Sequence, residues 1–215
     1  MERVNLARSN IRNHRMSTKR KILLGLVSFL ALIAYNRFTV SIKKPSKEIV
    51  DSVIKRLPSD ANYLCIVNFG KHSGEERFFI YNIKKNKYEY SGLVQHGNGK
   101  GNTAGKPKFS NVIGSNCSSL GLYKITRKDN MHSWPNAPCF RMVGLDSTNS
   151  NAMARGILIH PSLTRTLMPF EVWGLDLPLT WESQGCFAVS CNTMYEITKR
   201  FKKNNMYLYA YASEV

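Results

Sequence analysis

Short apolar runs separated by glycine, asparagine and proline recur along most of this 215-residue chain. Runs of this length, with turn residues between them, are typical of β-strands. Four consecutive polar residues, 84–87, separate two of the runs in the manner of a hairpin turn. The predicted strands are residues 63–69, 77–83, 88–94, 121–126, 139–145, 156–160, 187–190 and 207–211. The sequence therefore predicts one mainly β domain.

Two helices are expected at the periphery of this domain. Residues 46–57 carry apolar side chains at helical spacing, and Pro58 follows them. Residues 192–203 show the same spacing, with Met194, Tyr195 and Ile197 on the inward face. We expect a linker and helix at residues 43–58 and the folded domain at residues 59–215.

The N-terminal segment has the pattern of an export signal. Residues 1–21 contain seven Lys or Arg against Glu2 alone, and residues 22–35 carry no charge. A basic flank of this kind stays in the cytoplasm while the chain after the apolar segment is exported. Because small residues do not occupy both cleavage positions, residues 22–42 are predicted as an uncleaved signal-anchor helix. A cleaved signal peptide and a buried helix of a cytosolic protein are the alternatives. We expect an exported monomer in the cell envelope, either periplasmic or on the outer face of the cytoplasmic membrane.

The net charge of +17 predicts an affinity for polyanions. Zinc-finger spacing and aromatic-glycine RNA signatures are absent from the sequence, so specific nucleic-acid binding is not expected. An acidic wall polymer and anionic lipid both remain open as partners. Of the five cysteines, Cys117 and Cys139 are the pair best placed for a disulfide, and Cys65 is expected to be a buried thiol.

Ser183-Gln184-Gly185-Cys186 and the earlier His160 are candidates for nucleophilic chemistry. A cysteine attacks as the thiolate, which needs a nearby base or positive charge. The two residues lie 26 positions apart (186 − 160), so only the fold can bring them together. Alone, such a pair is weak support for a catalytic site.

The order of short motifs around this pair is more specific. The chain contains, in order, His96-Gly-Asn-Gly-Lys-Gly101, Phe109-Ser-Asn111, Ser118-Ser-Leu-Gly-Leu-Tyr123, Arg155-Gly-Ile-Leu-Ile-His160 and Ser183-Gln-Gly-Cys-Phe-Ala-Val189. This succession resembles the catalytic domain of murein L,D-transpeptidases, in the YkuD-like branch with a Ser-x-Gly-Cys nucleophile element. The resemblance covers residues 60–211 and implies a β-sandwich-like domain that acts on peptidoglycan stem peptides, without a cofactor or metal.

The resemblance also implies roles for individual residues. Cys186 would attack the bond between the diamino acid and the following D-alanine, and His160 would be its base. Ser183 would orient His160 or bind substrate, and amides near Gly185 and Cys186 would receive the oxyanion. His96, Ser118, Ser119 and Gln184 are predicted to line the substrate pocket, although the two serines would equally well hold a turn.

Three departures from the family pattern concern substrate choice. Pro161 follows His160 where many relatives have glycine, Glu182 stands where the branch has a basic residue, and Ala188 replaces an arginine. These changes leave open a catalytically decayed wall-binding protein. An L,D-carboxypeptidase with the same site is also open, because the sequence does not distinguish water from an amine as the acceptor. A zinc peptidase built on His96, His132 and His160 is disfavoured, since no His-Glu-x-x-His pair is present.

Overall fold

The computed structural model describes residues 17–39, 43–103, 105–132, 137–162, 183–201 and 204–213. Helix α1 (Thr18–Thr39) belongs to one unit of the chain, and everything after it belongs to a second. Within the described ranges, no helix combines the length and apolarity needed to cross a membrane. The signal-anchor at residues 22–42 stays a prediction, and residues 1–16 of the basic segment lie outside the described part.

Strands dominate the second unit, which confirms the mainly β prediction. The described residues form nine strands: β1 (Ala61–Asn68), β2 (Phe78–Asn82), β3 (Lys87–Gly92), β4 (Val94–Gln95), β5 (Gly121–Asn130), β6 (Pro138–Gly144), β7 (Leu158–Pro161), β8 (Phe187–Val189) and β9 (Asn205–Tyr211). They belong to a single sheet in the order β3-β2-β1-β9-β5-β6-β7-β8-β4. The β1–β9 and β7–β8 pairs are parallel, and the other pairs are antiparallel.

The two edges of this sheet lie next to each other. Strands β3 and β4 occupy opposite ends of the strand order, yet only Leu93 separates them in sequence. One residue spans less than about 4 Å, so the sheet must curl until it nearly closes. The layers implied by a β-sandwich are therefore parts of one curved sheet.

Burial on both faces explains why β1 is a continuous apolar run. Alternate side chains of a strand point to opposite faces, so Cys65 and Val67 enter the larger core while Leu64 and Ile66 enter a second one. Each of these four side chains is fully buried. The prediction that Cys65 is a buried thiol is confirmed.

Two helices cover the sheet, as the spacing of apolar residues predicts. Helix α2 (Lys47–Ile54) begins after Ser46, whose hydroxyl accepts a hydrogen bond from the Ile49 amide, and it buries Val50 and Val53 in the second core. Helix α3 (Cys191–Phe201) buries Met194 and Ile197 in the larger core. Tyr195, which was expected to face inward, is 65% exposed. All five cysteines are free, so Cys117 and Cys139, the pair named above as best placed for a disulfide, are not bridged.

A buried arginine ties the edges of the sheet together. Arg77 is fully buried, and its guanidinium donates to the carbonyl of Val94 in β4 at 2.9 Å, to that of Lys71 at 2.8 Å and to Nδ1 of His96 at 2.9 Å. The guanidinium also lies over the ring of Phe69, 5.1 Å from its centroid. Because these bonds go to carbonyls and a ring nitrogen rather than to a carboxylate, burial lowers the pKa of Arg77 to about 9. The side chain is still charged at neutral pH.

We predict that Arg77→Lys destabilises the protein. An ammonium group cannot reproduce three donors in a fixed plane, so the free energy of unfolding should fall by about 2–4 kcal/mol. Urea denaturation of the full chain measures the change. Arg127→Lys is the matched control, because Arg127 is 66% exposed and binds only a surface carboxylate in the described structure. Equal free energies of unfolding for the two variants would contradict a stabilising role of the buried Arg77 guanidinium.

Candidate active site

Strands β7 and β8 place His160 and Cys186 beside each other. The parallel register pairs Ile159 with Phe187 and His160 with Ala188, so Cys186 precedes β8 at the level of Leu158. Ile159 is fully buried, and its neighbours in the strand, Leu158 and His160, turn to the opposite face. Although the two predicted residues are 26 positions apart in the sequence, the fold puts His160 in β7 and Cys186 directly before the neighbouring strand β8.

The Cys186 thiol lies against the backbone of β7. Its sulfur is 3.4 Å from the Leu158 amide nitrogen, which donates to it, and 3.8 Å from the Gly156 carbonyl, to which the thiol donates. Burial raises the pKa of Cys186, while the Leu158 amide and the charge of Arg155 act against this shift. The resting residue is therefore a neutral thiol at pH 7.

The His160 ring is held by the carbonyl of the next residue. Nδ1 lies 2.8 Å from the Pro161 oxygen, and a carbonyl can only accept, so Nδ1 carries the proton. Nε2 is then unprotonated and can act as a base. Burial lowers the pKa of His160, and the Pro161 carbonyl partly opposes that shift. Among the described hydrogen bonds, none joins this ring to the Cys186 sulfur.

Ser183 shapes the turn that carries the nucleophile. Its hydroxyl donates to the Cys186 carbonyl at 2.5 Å and accepts from the Gly185 amide at 3.2 Å. None of its described bonds reaches His160. Gly185 has a φ of +106°, and a Cβ there would lie 2.8 Å from the Cys117 carbonyl, so the turn requires glycine.

The loop that begins at His96 holds this turn from the other side. The Ser183 amide donates to the His96 carbonyl at 3.0 Å, and the Asn98 amide donates to the Ser183 carbonyl at 2.6 Å. His96 is 1% exposed, and burial and the charge of Arg77 lower its pKa to about 4. The ring is thus neutral. Its Nε2 has no hydrogen-bond partner in the described structure.

Both predicted pocket serines are buried and bonded within the protein. The Ser118 hydroxyl accepts from the Gly97 amide and donates to the Gly185 carbonyl, which joins the His96 loop to the nucleophile turn. Ser119 shares hydrogen bonds with Tyr123 and Arg155. Gln184 is exposed beside Cys186. Substrate binding by these residues and His96 stays a prediction.

Sequence reasoning missed two contributors to the site. The Pro161 carbonyl orients His160, but a backbone atom leaves no trace in residue identity. Arg155 donates to the carbonyls of Ser110 and Cys117 and to the Ser119 hydroxyl, and so fixes the loop beneath Gly185. An arginine separated only by Gly156 from the apolar run at 157–159 was a visible signal, although nothing local revealed its partners.

His132 and Glu182 bear on the rival interpretations of the sequence. His132 is exposed, and the described residues contain no group of three metal-ligating side chains. Glu182, where the family branch has a basic residue, lies outside the described residues.

Comparison with known families now supports the resemblance. The family model for the L,D-transpeptidase catalytic domain matches residues 39–211, which is most of the chain. The protein belongs to this family. A search of curated proteins found no match.

A structural search found similar solved structures at low sequence identity. The K307A mutant of the helical cell shape determining protein Pgp2 from Campylobacter jejuni has a TM-score of 0.50 and 13% identity over 74% of this chain and 50% of that one. The Pgp2 structure without this mutation has a TM-score of 0.47 and 16% identity, over 73% of this chain and 50% of that one. An L,D-transpeptidase from Xylanimonas cellulosilytica has a TM-score of 0.38 and 13% identity, over 77% of this chain and 70% of that one. The chain thus spans about half the length of the Campylobacter protein.

We predict that Cys186 reacts as an ordinary or weak thiol rather than as a stabilised thiolate. Since burial raises its pKa, the rate of alkylation by iodoacetamide should keep rising with pH through about 8.5, the value for a free cysteine. Peptide mass spectrometry separates Cys186 from the exposed Cys191. His160→Gln should leave the shape of this profile unchanged. A plateau from about pH 6 that disappears in His160→Gln would instead indicate a thiolate–imidazolium pair.

Proposed function

We propose that this domain is a cysteine-dependent L,D-transpeptidase that cuts peptidoglycan stem peptides and forms a thioester on Cys186. The observation that carries the proposal is the pairing of β7 with β8, since the imidazole lies in β7 and the thiol lies directly before β8. The Pro161 carbonyl holds that imidazole with Nε2 free to accept a proton. Family membership supplies the substrate class.

In the first half-reaction, Nε2 of His160 takes the thiol proton as the sulfur attacks the carbonyl carbon before D-alanine. The thiol must first give up its hydrogen bond to the Gly156 carbonyl. Catalytic hydrogen bonds are often unformed without substrate, so this resting geometry suits the proposal. The imidazolium then protonates the leaving amine, and a thioester remains.

The amide of Cys186 is our candidate donor to the oxyanion. The neighbouring Gly185 amide already donates to the Ser183 hydroxyl, so it would have to exchange that bond to contribute. In the second half-reaction, the amine of a neighbouring stem attacks the thioester and His160 removes its proton. Water as the acceptor would make the enzyme an L,D-carboxypeptidase.

We also propose that residues 22–42 direct export, either as a signal-anchor or as a cleaved signal. The support is the uncharged segment at 22–35 behind a basic flank, together with a wall substrate that lies outside the cytoplasm.

The activity is tested with purified stem tetrapeptides and intact-protein mass spectrometry. The unaltered protein should release D-alanine, form cross-linked dimers and acquire a covalent carbapenem adduct. Cys186→Ser should abolish all three, because the serine hydroxyl is a far weaker nucleophile than a thiol at neutral pH. Cys191→Ser, which alters another accessible thiol, should retain them. Trimmed tripeptide without dimers would mean a carboxypeptidase. Absence of both products and of the adduct would leave a wall-binding protein.

Export is tested by cell fractionation followed by N-terminal sequencing of the recovered protein. A full-length chain in the membrane fraction is expected for a signal-anchor, and a chain that starts after the apolar segment is expected for a cleaved signal. Full-length protein in the soluble cytoplasmic fraction would contradict export.

A further inference from the structure

A pocket adjoins the nucleophile on the far side of β7. Gly156 and Leu158, whose backbone atoms contact the Cys186 sulfur, both line it. The remaining lining residues come from β5, β6 and the segment before β7, and they include Thr126, Arg141, Val143 and Met153. A peptide joined to the Cys186 sulfur as a thioester can therefore extend across Leu158 into this pocket.

Arg141 is the charged residue that lines this pocket. Its register partner is Leu158, which in turn lies at the level of Cys186, so Arg141 and the nucleophile flank the same residue of β7. Alternation along β6 gives the same assignment, since Phe140 and Met142 on either side enter the core while Arg141 is exposed. Arg141 thus faces the side of the sheet where the chemistry would occur.

The guanidinium retains free donors. Its described hydrogen bond is from Nε to Asp129 at 3.1 Å, and Asp129 is shared with Arg127 at 2.9 Å. Asp129 therefore steadies Arg141 without using its two terminal nitrogens. A planar pair of charged N–H donors matches a carboxylate.

We propose that Arg141 binds a carboxylate of the acyl-donor peptide in this pocket. The inference rests on the proposed function, which supplies a donor with a C-terminal carboxylate on D-alanine. Where the diamino acid of the stem is diaminopimelate, its side chain carries a second carboxylate near the scissile bond. Binding either one fixes the donor relative to Cys186, and it provides the cation that position 182 lacks in this sequence.

The test compares three tetrapeptide donors in the unaltered protein and in Arg141→Gln. The first donor has free carboxylates, the second has the diaminopimelate side chain amidated, and the third has the C-terminus amidated. With the first, Arg141→Gln should raise KM about 10- to 100-fold, because a charged hydrogen-bonded pair is lost. Amidating the carboxylate that Arg141 binds should raise KM similarly in the unaltered protein and cancel the effect of the variant. The donor on which the effect disappears identifies the carboxylate.

Two controls separate this role from general damage to the site. Arg127→Gln alters the other partner of Asp129 without touching the pocket lining, and it should leave KM within about twofold. Arg141→Lys keeps the charge and should recover part of the lost affinity. An equal effect of Arg141→Gln on all three donors, or no effect on any, would overturn the inference.

Binding measured in the Cys186→Ser background distinguishes this inference from the proposed function. Calorimetry with the same three peptides reports recognition without turnover. One outcome is that Arg141→Gln weakens binding of the peptides with a free carboxylate, while the unaltered protein cleaves none of the peptides. This outcome would uphold the subsite and overturn the enzymatic proposal. If the unaltered protein turns the peptides over but Arg141→Gln does not change their binding, the enzymatic proposal stands and the subsite is overturned.

Discussion

The buried fork of Arg77 is the interaction on which the site depends. Its guanidinium holds β4 and the His96 ring, and the His96 backbone in turn pairs with Ser183 in the nucleophile turn. Phe69 links the same parts by packing against both Arg77 and Phe187, the residue after Cys186. A charge buried without a carboxylate is costly, and only a full set of fixed acceptors makes it tolerable. The hydrogen bonds of the Arg77 guanidinium therefore support both the closure of the sheet and the position of Cys186.

The chemistry at the site is that of two neutral groups. Burial raises the pKa of Cys186 and lowers the pKa of His160, so both shifts disfavour a resting ion pair. The Pro161 carbonyl selects the tautomer that leaves Nε2 available, and this role depends on its position rather than its side chain. The glycine that many relatives have there can thus be replaced by proline without losing the interaction. In the mechanism that we propose, proton transfer therefore accompanies attack instead of preceding it.

The strand positions were predictable because apolar runs and turn residues are local signals, and each predicted run overlaps an observed strand. Three features were not. Strand β4 is only two residues long, Tyr195 turns outward from its helix, and Cys117 and Cys139 stay unpaired. Each of these depends on neighbours that are distant in the chain. For the same reason, the partners of Arg155 and Arg141 were invisible, although Arg155 directly precedes one predicted strand and Arg141 lies within another.

By itself, the sequence determined the strand-rich domain, its family and the candidate pair of Cys186 and His160, because residue type and motif order carry that information. Only the tertiary structure decided that one sheet curls until its edges meet and that β7 lies between Cys186 and Arg141. It also decided that Ser118 and Ser183 bond to the nucleophile turn. Hydrogen-bond partners and burial are set by which distant segments come together, and no single segment encodes them.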